Sequence, residues 1–330
     1  MSSRDEHSTG PAVVQVEHLA KVFRDFWRRP KVRAVDDISF EIQRGEIFGL
    51  LGPNGSGKST TLKIMLGLLH PTAGSVEIFG MPPRDVAVKQ RLGYLPEESY
   101  LYKHLNAVEM LDFYGRLFDI DRKTRVERIE QLIEMAGLTE HRYRRVGEYS
   151  KGMSRRIGIA QALINDPEFV ILDEPTSGLD PIGRKQVKDL IIALAERGKT
   201  VLLASHLLAE VEDVCDRIAI LYNGKIRAMG HVKKLLEDRD RCRMTMGALP
   251  PEGMARIIEA VKRELGKEPE VDSPTRDLEQ FFLQVVEDAK RANQGEQTPD
   301  SSMGIANYLL TQKKARPADV SCAGTDTSDR

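Results

Sequence analysis

A glycine-rich segment between an apolar run and a helical pattern has the composition of a phosphate-binding loop. It fits G-x-x-x-x-G-K-[ST], and its candidate binding residues are Gly52, Pro53, Asn54, Gly55, Ser56, Gly57, Lys58, Ser59 and Thr60. Glycines allow a tight turn that aims successive backbone N–H groups at phosphate oxygens. Lys58 would neutralise phosphate charge, and the Ser59 hydroxyl would bind Mg²⁺. A chance glycine-rich turn is the weaker interpretation because the flanking patterns also fit.

A pair of acidic residues follows another apolar run. Residues 169–172 are apolar and lead directly to Asp173 and Glu174. Since α/β sheets place ligands at the carboxyl ends of their strands, both carboxylates are expected beside the loop. Asp173 is expected to hold Mg²⁺, and Glu174 to polarise an attacking water as a general base. Alone, such a pair is more often a strand end that meets solvent.

A third candidate anion site lies at the start of a predicted helix. In Tyr149–Met153, Ser150 is a good N-cap, and the arginine-rich helix behind it has a positive dipole end. By itself this pattern is more often an ordinary capped helix.

These residues require a particular set of elements to position them. Short alternating strands are predicted at residues 14–18 and 38–42, and buried strands at residues 47–51, 169–173 and 200–205. Helices are predicted at residues 59–69, 181–197 and 207–215, with a mostly helical block at residues 106–165. Asn223-Gly224 between two alternating runs predicts a hairpin over residues 217–230.

The ends of the chain differ in composition from its middle. Residues 1–12 are predicted to be a disordered arm, and residues 292–330 a disordered tail rich in polar residues. Between the main domain, residues 13–236, and this tail, residues 237–291 are predicted to form a small appendage. Its expected elements are a strand at residues 239–247 and helices at residues 254–265 and 278–286.

Composition excludes several classes of protein. The chain has 330 residues and a net charge of −1, which argues against a broad basic surface for nucleic acid. Its three cysteines are odd in number and far apart, so no disulfide framework is predicted and a reducing compartment is expected. We find no apolar window of 18 residues and no signal-peptide pattern in the sequence. We therefore expect the protein to act at a membrane only through a partner protein.

The order and spacing of the motifs resemble the ATP-binding subunit of ATP-binding cassette (ABC) transporters over residues 13–236. The loop corresponds to Walker A, Tyr149–Met153 to the signature motif, residues 169–174 to Walker B, residues 177–180 to the D-loop, and His206 to the switch histidine. The resemblance implies an α/β P-loop NTPase fold. It also implies a mixed-sheet core, an N-terminal antiparallel β part, a helical subdomain at about residues 98–165 and a small C-terminal α/β appendage.

The resemblance also implies how ATP and Mg²⁺ are bound. Two copies pack head to tail as a homodimer, and each ATP lies between Walker A of one copy and the signature residues of the other. The signature residues are Ser150, Lys151, Gly152 and Met153. Ser59 and Asp173 are the implied metal ligands.

Further roles are implied for single residues. Glu174 and His206 would be catalytic, Asp180 would couple the two sites, and Phe23 would stack on adenine. For Phe23 a core position is the alternative, and Phe26 and Trp27 compete for the stacking role within a long loop.

Two motifs depart from the family pattern. The signature reads Tyr-Ser-Lys-Gly-Met where Leu-Ser-Gly-Gly-Gln is usual, and Glu97 stands where the Q-loop normally has glutamine. A carboxylate at this position can bind Mg²⁺ or water but adds negative charge near the γ-phosphate. Its place beside the helical insertion suits a sensor of a membrane partner. These departures resemble the branch that serves drug, polysaccharide, lipid and sodium exporters.

The sequence therefore predicts an ATPase that powers export of an unknown substrate through a separate integral membrane permease. It would lie peripherally on the cytoplasmic face of the membrane, with no nucleic-acid partner. The alternatives are a soluble cassette ATPase with a non-transport role and an importer ATPase. A non-catalytic module is disfavoured because Glu174 and His206 are both present.

Overall fold

The computed structural model describes residues 12–27, 29–98, 101–237 and 250–266. Described residues up to Gly230 form one compact unit, and those from His231 onward belong to a second. This division falls slightly before the predicted end of the main domain near Leu236. Within the described ranges, no helix is both long enough and apolar enough to cross a bilayer.

The first unit contains nine strands and seven α-helices among its described residues. The strands are β1 (Val14–Arg24), β2 (Pro30–Ile42), β3 (Ile47–Leu51), β4 (Ala73–Ile78), β5 (Leu92–Leu95), β6 (Phe169–Asp173), β7 (Thr200–Ser205), β8 (Arg217–Tyr222) and β9 (Lys225–His231), the last of which ends at the first residue of the second unit. The helices are α1 (Lys58–Met65), α2 (Val86–Gln90), α3 (Ala107–Leu117), α4 (Arg122–Met135), α5 (Lys151–Leu163), α6 (Pro181–Glu196) and α7 (Leu208–Glu212).

A six-stranded mixed sheet forms the centre of this unit. Its strand order is β5-β6-β7-β3-β8-β9, and the first five strands run parallel. Strands β3, β6 and β7 are buried along their whole length, which explains why they read as continuous apolar runs in the sequence. Because these strands are parallel, their carboxyl ends meet at one edge of the sheet.

A second sheet of three antiparallel strands, in the order β2-β1-β4, covers the first. Phe40 of β2 stacks on Phe48 of β3 with ring centroids 5.4 Å apart, and helix α1 shares the same buried cluster. Strands β1 and β2 are longer than predicted because irregular registers break the alternation beyond Val16, where His18 has a φ of 47°. Strands β4 and β5 were not predicted.

Helices α3, α4 and α5 occupy the predicted helical block. Asn106 and Glu109 form a reciprocal capping box at α3, and Asp121 caps α4 through backbone N–H groups. Helix α1 is shorter than predicted because Gly67, with a φ of 65°, follows its last turn as a left-handed terminator. Helix α7 is also shorter than predicted.

The predicted hairpin is confirmed and supports the phosphate-binding loop. Asn223 and Gly224 have φ values of 51° and 74°, the left-handed pair that a tight two-residue turn between β8 and β9 requires. The Gly224 N–H donates to the Ser56 carbonyl at 2.9 Å, and the Gly224 carbonyl accepts from the Asp36 N–H at 2.8 Å. The turn therefore connects the loop to β2.

The described part of the second unit contains helices α8 (Val232–Leu235) and α9 (Pro251–Leu265). Helix α9 agrees with the apolar spacing predicted over residues 254–265. The predicted strand at 239–247, the helix at 278–286, the tail at 292–330 and all but the last residue of the N-terminal arm lie outside the described residues.

Gly93 on β5 should be more sensitive to substitution than a glycine in open space. A Cβ at Gly93 would lie 2.1 Å from the Ala162 carbonyl oxygen, which belongs to the α5 backbone and has little freedom to move. We expect Gly93→Ala to lower the free energy of unfolding by about 2–3 kcal/mol in a urea titration. The control Gly198→Ala has open space but a φ of 80°, so it should cost only about 1 kcal/mol. Equal losses would contradict this packing argument.

Candidate functional site

The glycine-rich loop lies between the end of β3 and the start of α1, as predicted. It packs so closely against β2 that a Cβ at Gly57, where φ is 112°, would lie 2.5 Å from the Ala34 carbonyl oxygen. This contact explains the need for glycine at that position. The loop therefore presents its backbone N–H groups at the N-terminus of α1, the arrangement that binds phosphate.

Lys58 is buried inside the loop. Its ammonium donates to the Gly52 carbonyl at 2.5 Å and to the Pro53 carbonyl at 3.4 Å. Its Nζ also lies 4.0 Å from Glu174 Oε1. One cation thus connects the loop to the acidic pair at the end of β6.

Asp173 and Glu174 are both buried at the carboxyl edge of the sheet. Burial, together with the nearby carboxylates of Glu97 and Glu174, raises the pKa of Asp173 to about 6. Glu174 has a φ of 50°, a left-handed conformation that is uncommon for a residue with a side chain. Such strain is frequent at functional sites, where the surrounding structure holds it in place.

His206 and Ser205 reach Glu174 from the neighbouring strand β7. His206 Nδ1 lies 2.8 Å from Glu174 Oε1, and the Ser205 hydroxyl lies 3.3 Å from Glu174 Oε2. The His206 side chain is 43% exposed, whereas that of Glu174 is only 5% exposed. The histidine therefore connects a buried carboxylate with the solvent side of the site.

A cavity of about 720 Å³ opens beside the loop. Its lining includes Phe23 and the loop residues Lys58, Ser59 and Thr60. Phe23 is 39% exposed, so it is not the core residue that was considered as an alternative. Phe26 and Trp27 pack edge to face on each other and are not among the residues that line the cavity.

The signature residues lie apart from this cavity. The Ser150 hydroxyl accepts from the Met153 N–H at 3.2 Å and so caps α5, as predicted. Lys151 lies against Gly178 of the D-loop, and Gly152 lies near Leu179. Ser150, Lys151, Gly152 and Met153 do not line the cavity described above. One copy of the described chain therefore does not bring the loop and the signature residues together.

Glu97 and Asp180 occupy positions beside the main cluster. Glu97 is exposed, follows β5, and is close enough to raise the pKa of Asp173. Asp180 accepts from the Gly183 N–H at 2.9 Å and caps α6.

Among the buried charged residues that sequence reasoning missed, two lie beside the site, Arg155 and Glu210. Arg155 on α5 donates to backbone carbonyls at the ends of both β5 and β6. Glu210 on α7 accepts from the Thr176 hydroxyl, and its Oε2 lies 3.5 Å from the Ser205 hydroxyl. Helix α5 is buried on most of its surface, so its sequence shows no periodic signal that would mark Arg155 as internal.

The site has the oxygen donors that a magnesium ion would need. Within the described residues, no group of three or more His, Cys, Asp and Glu side chains is placed to hold a metal ion. Mg²⁺ in nucleotide sites usually takes only one or two protein oxygens, with phosphate oxygens and water completing its octahedron. The Ser59 hydroxyl and the Asp173 carboxylate are hard donors that fit this requirement.

Comparison with known proteins decides the family. The ABC transporter family model matches residues 35–177. An uncharacterized ABC transporter ATP-binding protein of Synechocystis sp. is 43% identical over 255 residues, which cover 76% of this chain and 72% of the relative. The chain belongs to the ABC transporter ATP-binding proteins. It is an ABC transporter ATP-binding subunit with the P-loop NTPase fold, and its family hydrolyses ATP.

Other relatives and solved structures agree with this assignment. The Nod factor export ATP-binding protein I of Burkholderia lata is 40% identical over 210 residues, covering 63% of this chain and 69% of that protein. A dimeric cassette in a post-hydrolysis state, bound to ADP and Pi, is 27% identical with a TM-score of 0.60. The match covers 66% of this chain and 98% of that one.

The position of Phe23 in the cassette leads to a test of nucleotide binding. We expect Phe23→Ala to weaken ATP binding about tenfold, because base–aromatic stacking contributes about 1–3 kcal/mol. Equilibrium titration with a fluorescent ATP analogue measures the affinity. Phe26→Ala is the matched control, since Phe26 is 91% exposed and does not line the cavity, and its affinity should equal that of wild type. Unchanged affinity in Phe23→Ala would overturn the stacking role.

Proposed function

We propose that two copies of this cassette bind two ATP molecules head to tail and hydrolyse them to drive export through a separate membrane permease. The observation that carries the hydrolytic part is the continuous set of contacts from Lys58 through Glu174 to His206. It joins a phosphate-binding cation, a buried carboxylate and a solvent-facing imidazole at one sheet edge.

In this proposal the loop holds the triphosphate. Its backbone N–H groups and Lys58 bind phosphate oxygens, and residues Gly52–Thr60 form the loop. Ser59 and Asp173 hold Mg²⁺, which when bound offsets charge on the phosphates. Phe23, which lines the same cavity, stacks on the adenine. The sizes agree, since about 720 Å³ is within the range of ligand cavities that accommodate molecules as large as a nucleotide.

Glu174 acts as the general base in the proposed reaction. A base must lie within hydrogen-bond reach of the proton that it accepts, and Glu174 lies at the loop edge of the sheet. His206 and Ser205 hold its two oxygens, so the carboxylate cannot rotate freely. The proton leaves the attacking water for Glu174 as the water oxygen bonds to the γ-phosphorus. The bond between that phosphorus and the β–γ bridging oxygen breaks, so ADP leaves with the electron pair and inorganic phosphate is formed. His206 contacts the γ-phosphate from the solvent side.

The separation of the signature residues from the cavity supports a composite site. Ser150, Lys151, Gly152 and Met153 would face the ATP of a second copy, where the N-terminus of α5 and the Lys151 cation favour an anion. A related cassette has been solved as a dimer with ADP and Pi. Asp180, beside the signature residues, couples the two sites, and Glu97 senses the permease near the metal-binding edge.

An aromatic cluster of Tyr102, His104, Phe113 and Tyr114 is the proposed permease contact. The Tyr102 and Phe113 rings lie 5.4 Å apart, and these side chains are 42% and 38% exposed. The cluster lies at the start of the helical layer, soon after Glu97 in the chain. Exposed aromatic residues are enriched at protein interfaces. The likeness to a Nod factor export protein favours export over import.

The cassette is proposed to span residues 13–236, with a helical subdomain at about 98–165 and an appendage at 237–291. Its place is the cytoplasmic face of the membrane, reached through the permease.

Replacement of Glu174 tests the general base. We expect Glu174→Gln to lower kcat at least about a hundredfold, because general-base catalysis contributes about 10²–10⁴ in rate. ATP affinity should stay within about twofold, and ATP-dependent dimers should form on a sizing column. Glu212→Gln, an exposed change on α7, is the control and should keep full turnover. Full ATPase activity in Glu174→Gln would refute the assignment.

A membrane assay tests the permease and the direction of transport. The tagged full chain is purified from detergent-solubilised host membranes as wild type, as Tyr102→Ala/Phe113→Ala and as the control Tyr143→Ala, an aromatic residue that is 74% exposed outside the cluster. We expect a multi-span membrane protein to co-purify with the wild type and with the control. The double variant should recover at least about tenfold less of it. Inverted vesicles that hold the complex should accumulate the substrate with ATP. Accumulation only in right-side-out vesicles would indicate import, and loss of membrane association in wild type would indicate a soluble cassette.

A further inference from the structure

The guanidinium of Arg155 connects three segments of the cassette. It donates to five backbone carbonyl oxygens: Pro96 at 2.5 Å, Glu97 at 3.0 Å, Glu174 at 2.5 Å, Pro175 at 3.1 Å, and Asp173. Two of these carbonyls follow β5, and three lie at the end of β6 or just after it. Arg155 itself belongs to α5, the signature helix, which begins directly after its N-cap Ser150.

We propose that Arg155 is a positioning residue that couples movement of the signature helix to the placement of Glu97 and Glu174. The inference rests on the proposed catalytic site and adds to it a mechanical connection. Arg155 is not among the residues that line the cavity beside the loop. It acts through the backbone carbonyls of Glu97 and Glu174, and so through the backbone that carries their side chains.

Arg155 remains a cation at neutral pH even though it is buried. Burial lowers the pKa of Arg155 to about 10, which still leaves the guanidinium protonated near pH 7. The planar guanidinium has five N–H donors in a fixed geometry, so it can bond several carbonyls in one plane. The partial negative charges of these carbonyls stabilise the cation.

The contacts of Arg155 also hold a strained peptide. Glu174 has a φ of 50°, and its carbonyl accepts from the guanidinium while its N–H donates to the Ala204 carbonyl at 2.9 Å. The backbone of Glu174 is thus held on both its N–H and its carbonyl side. If α5 shifts, the guanidinium must either carry the Glu97 and Glu174 carbonyls with it or lose bonds to one of them.

This geometry gives the signature helix a direct path to the hydrolytic site of its own chain. The N-terminus of α5 is the end that would meet the ATP of the partner copy. Engagement there moves α5 and, through Arg155, the backbone that orients Glu174. The same guanidinium also bonds the carbonyls of Pro96 and Glu97, so a movement of α5 is passed to that segment next to the helical layer.

The test uses the full chain with Arg155→Lys, which keeps the charge and much of the volume. Its three donors sit on a single nitrogen, so it cannot reproduce the five carbonyl bonds of the guanidinium. We expect kcat for ATP hydrolysis to fall at least about tenfold, with KM and ATP affinity within about twofold of wild type. Arg128→Lys is the matched control, because Arg128 lies in the same helical layer and donates to the Ile164 carbonyl at 2.9 Å, away from the loop. The control should change kcat by less than about twofold.

A purely structural role would lower thermal stability and nucleotide affinity together with kcat, and that result would overturn the proposal. Turnover in Arg155→Lys within about twofold of wild type would also overturn it. Neither result would affect the proposed function, which instead fails if Glu174→Gln retains turnover.

Hydrogen exchange provides a second measurement that needs no variant. In the wild-type chain, addition of a non-hydrolysable ATP analogue should change amide protection in residues 92–98, 151–157 and 173–177 in the same direction and over the same concentration range. Independent responses of these three segments would show that Arg155 does not couple them.

Discussion

Buried negative charge at the carboxyl edge of the central sheet is the constraint on which the surrounding structure depends. Asp173 and Glu174 are both nearly inaccessible, and isolated carboxylates at such depth would be strongly unfavourable. The cation of Lys58, the imidazole of His206 and the guanidinium of Arg155 approach this edge from three different elements. The parallel order of β6, β7 and β3 makes this possible, because it brings the ends of all three strands to the same place.

The sequence predicts those parts of the site whose function depends on local residue order. The loop at residues 52–60, the strand before Asp173 and the hairpin at Asn223-Gly224 each carry their signal within a few adjacent residues, and the structure contains all three elements. Strands β4 and β5 carried no such signal. Of these two strands, β5 is mostly buried and β4 is mostly exposed. Both form by pairing with strands that are distant in the sequence, so their own residues carry little signal.

Arg155 and Glu210 could not be assigned from sequence for a related reason. A charged residue in a helix is usually solvated, so its default interpretation is an exposed face. Arg155 is internal only because the carbonyl ends of β5 and β6 converge on α5, and that convergence is tertiary. Glu210 is internal because Thr176 and Ser205 meet it from two strand ends. Tertiary contacts of this kind leave no trace in the spacing of apolar residues.

The left-handed backbone at Glu174 makes this position one where the fold gives up stability for a functional group. A non-glycine residue in that conformation costs on the order of 1–3 kcal/mol, and a second buried carboxylate beside Asp173 adds to the cost. A glycine here would relax the backbone and remove the repulsion between the Glu174 and Asp173 carboxylates. The protein would be more stable but would lack the Glu174 carboxylate. β-Branched residues are the worst fit, because they tolerate positive φ poorly. Stability alone would therefore favour loss of the carboxylate, and its presence at a strained, buried position agrees with the general-base role proposed for Glu174.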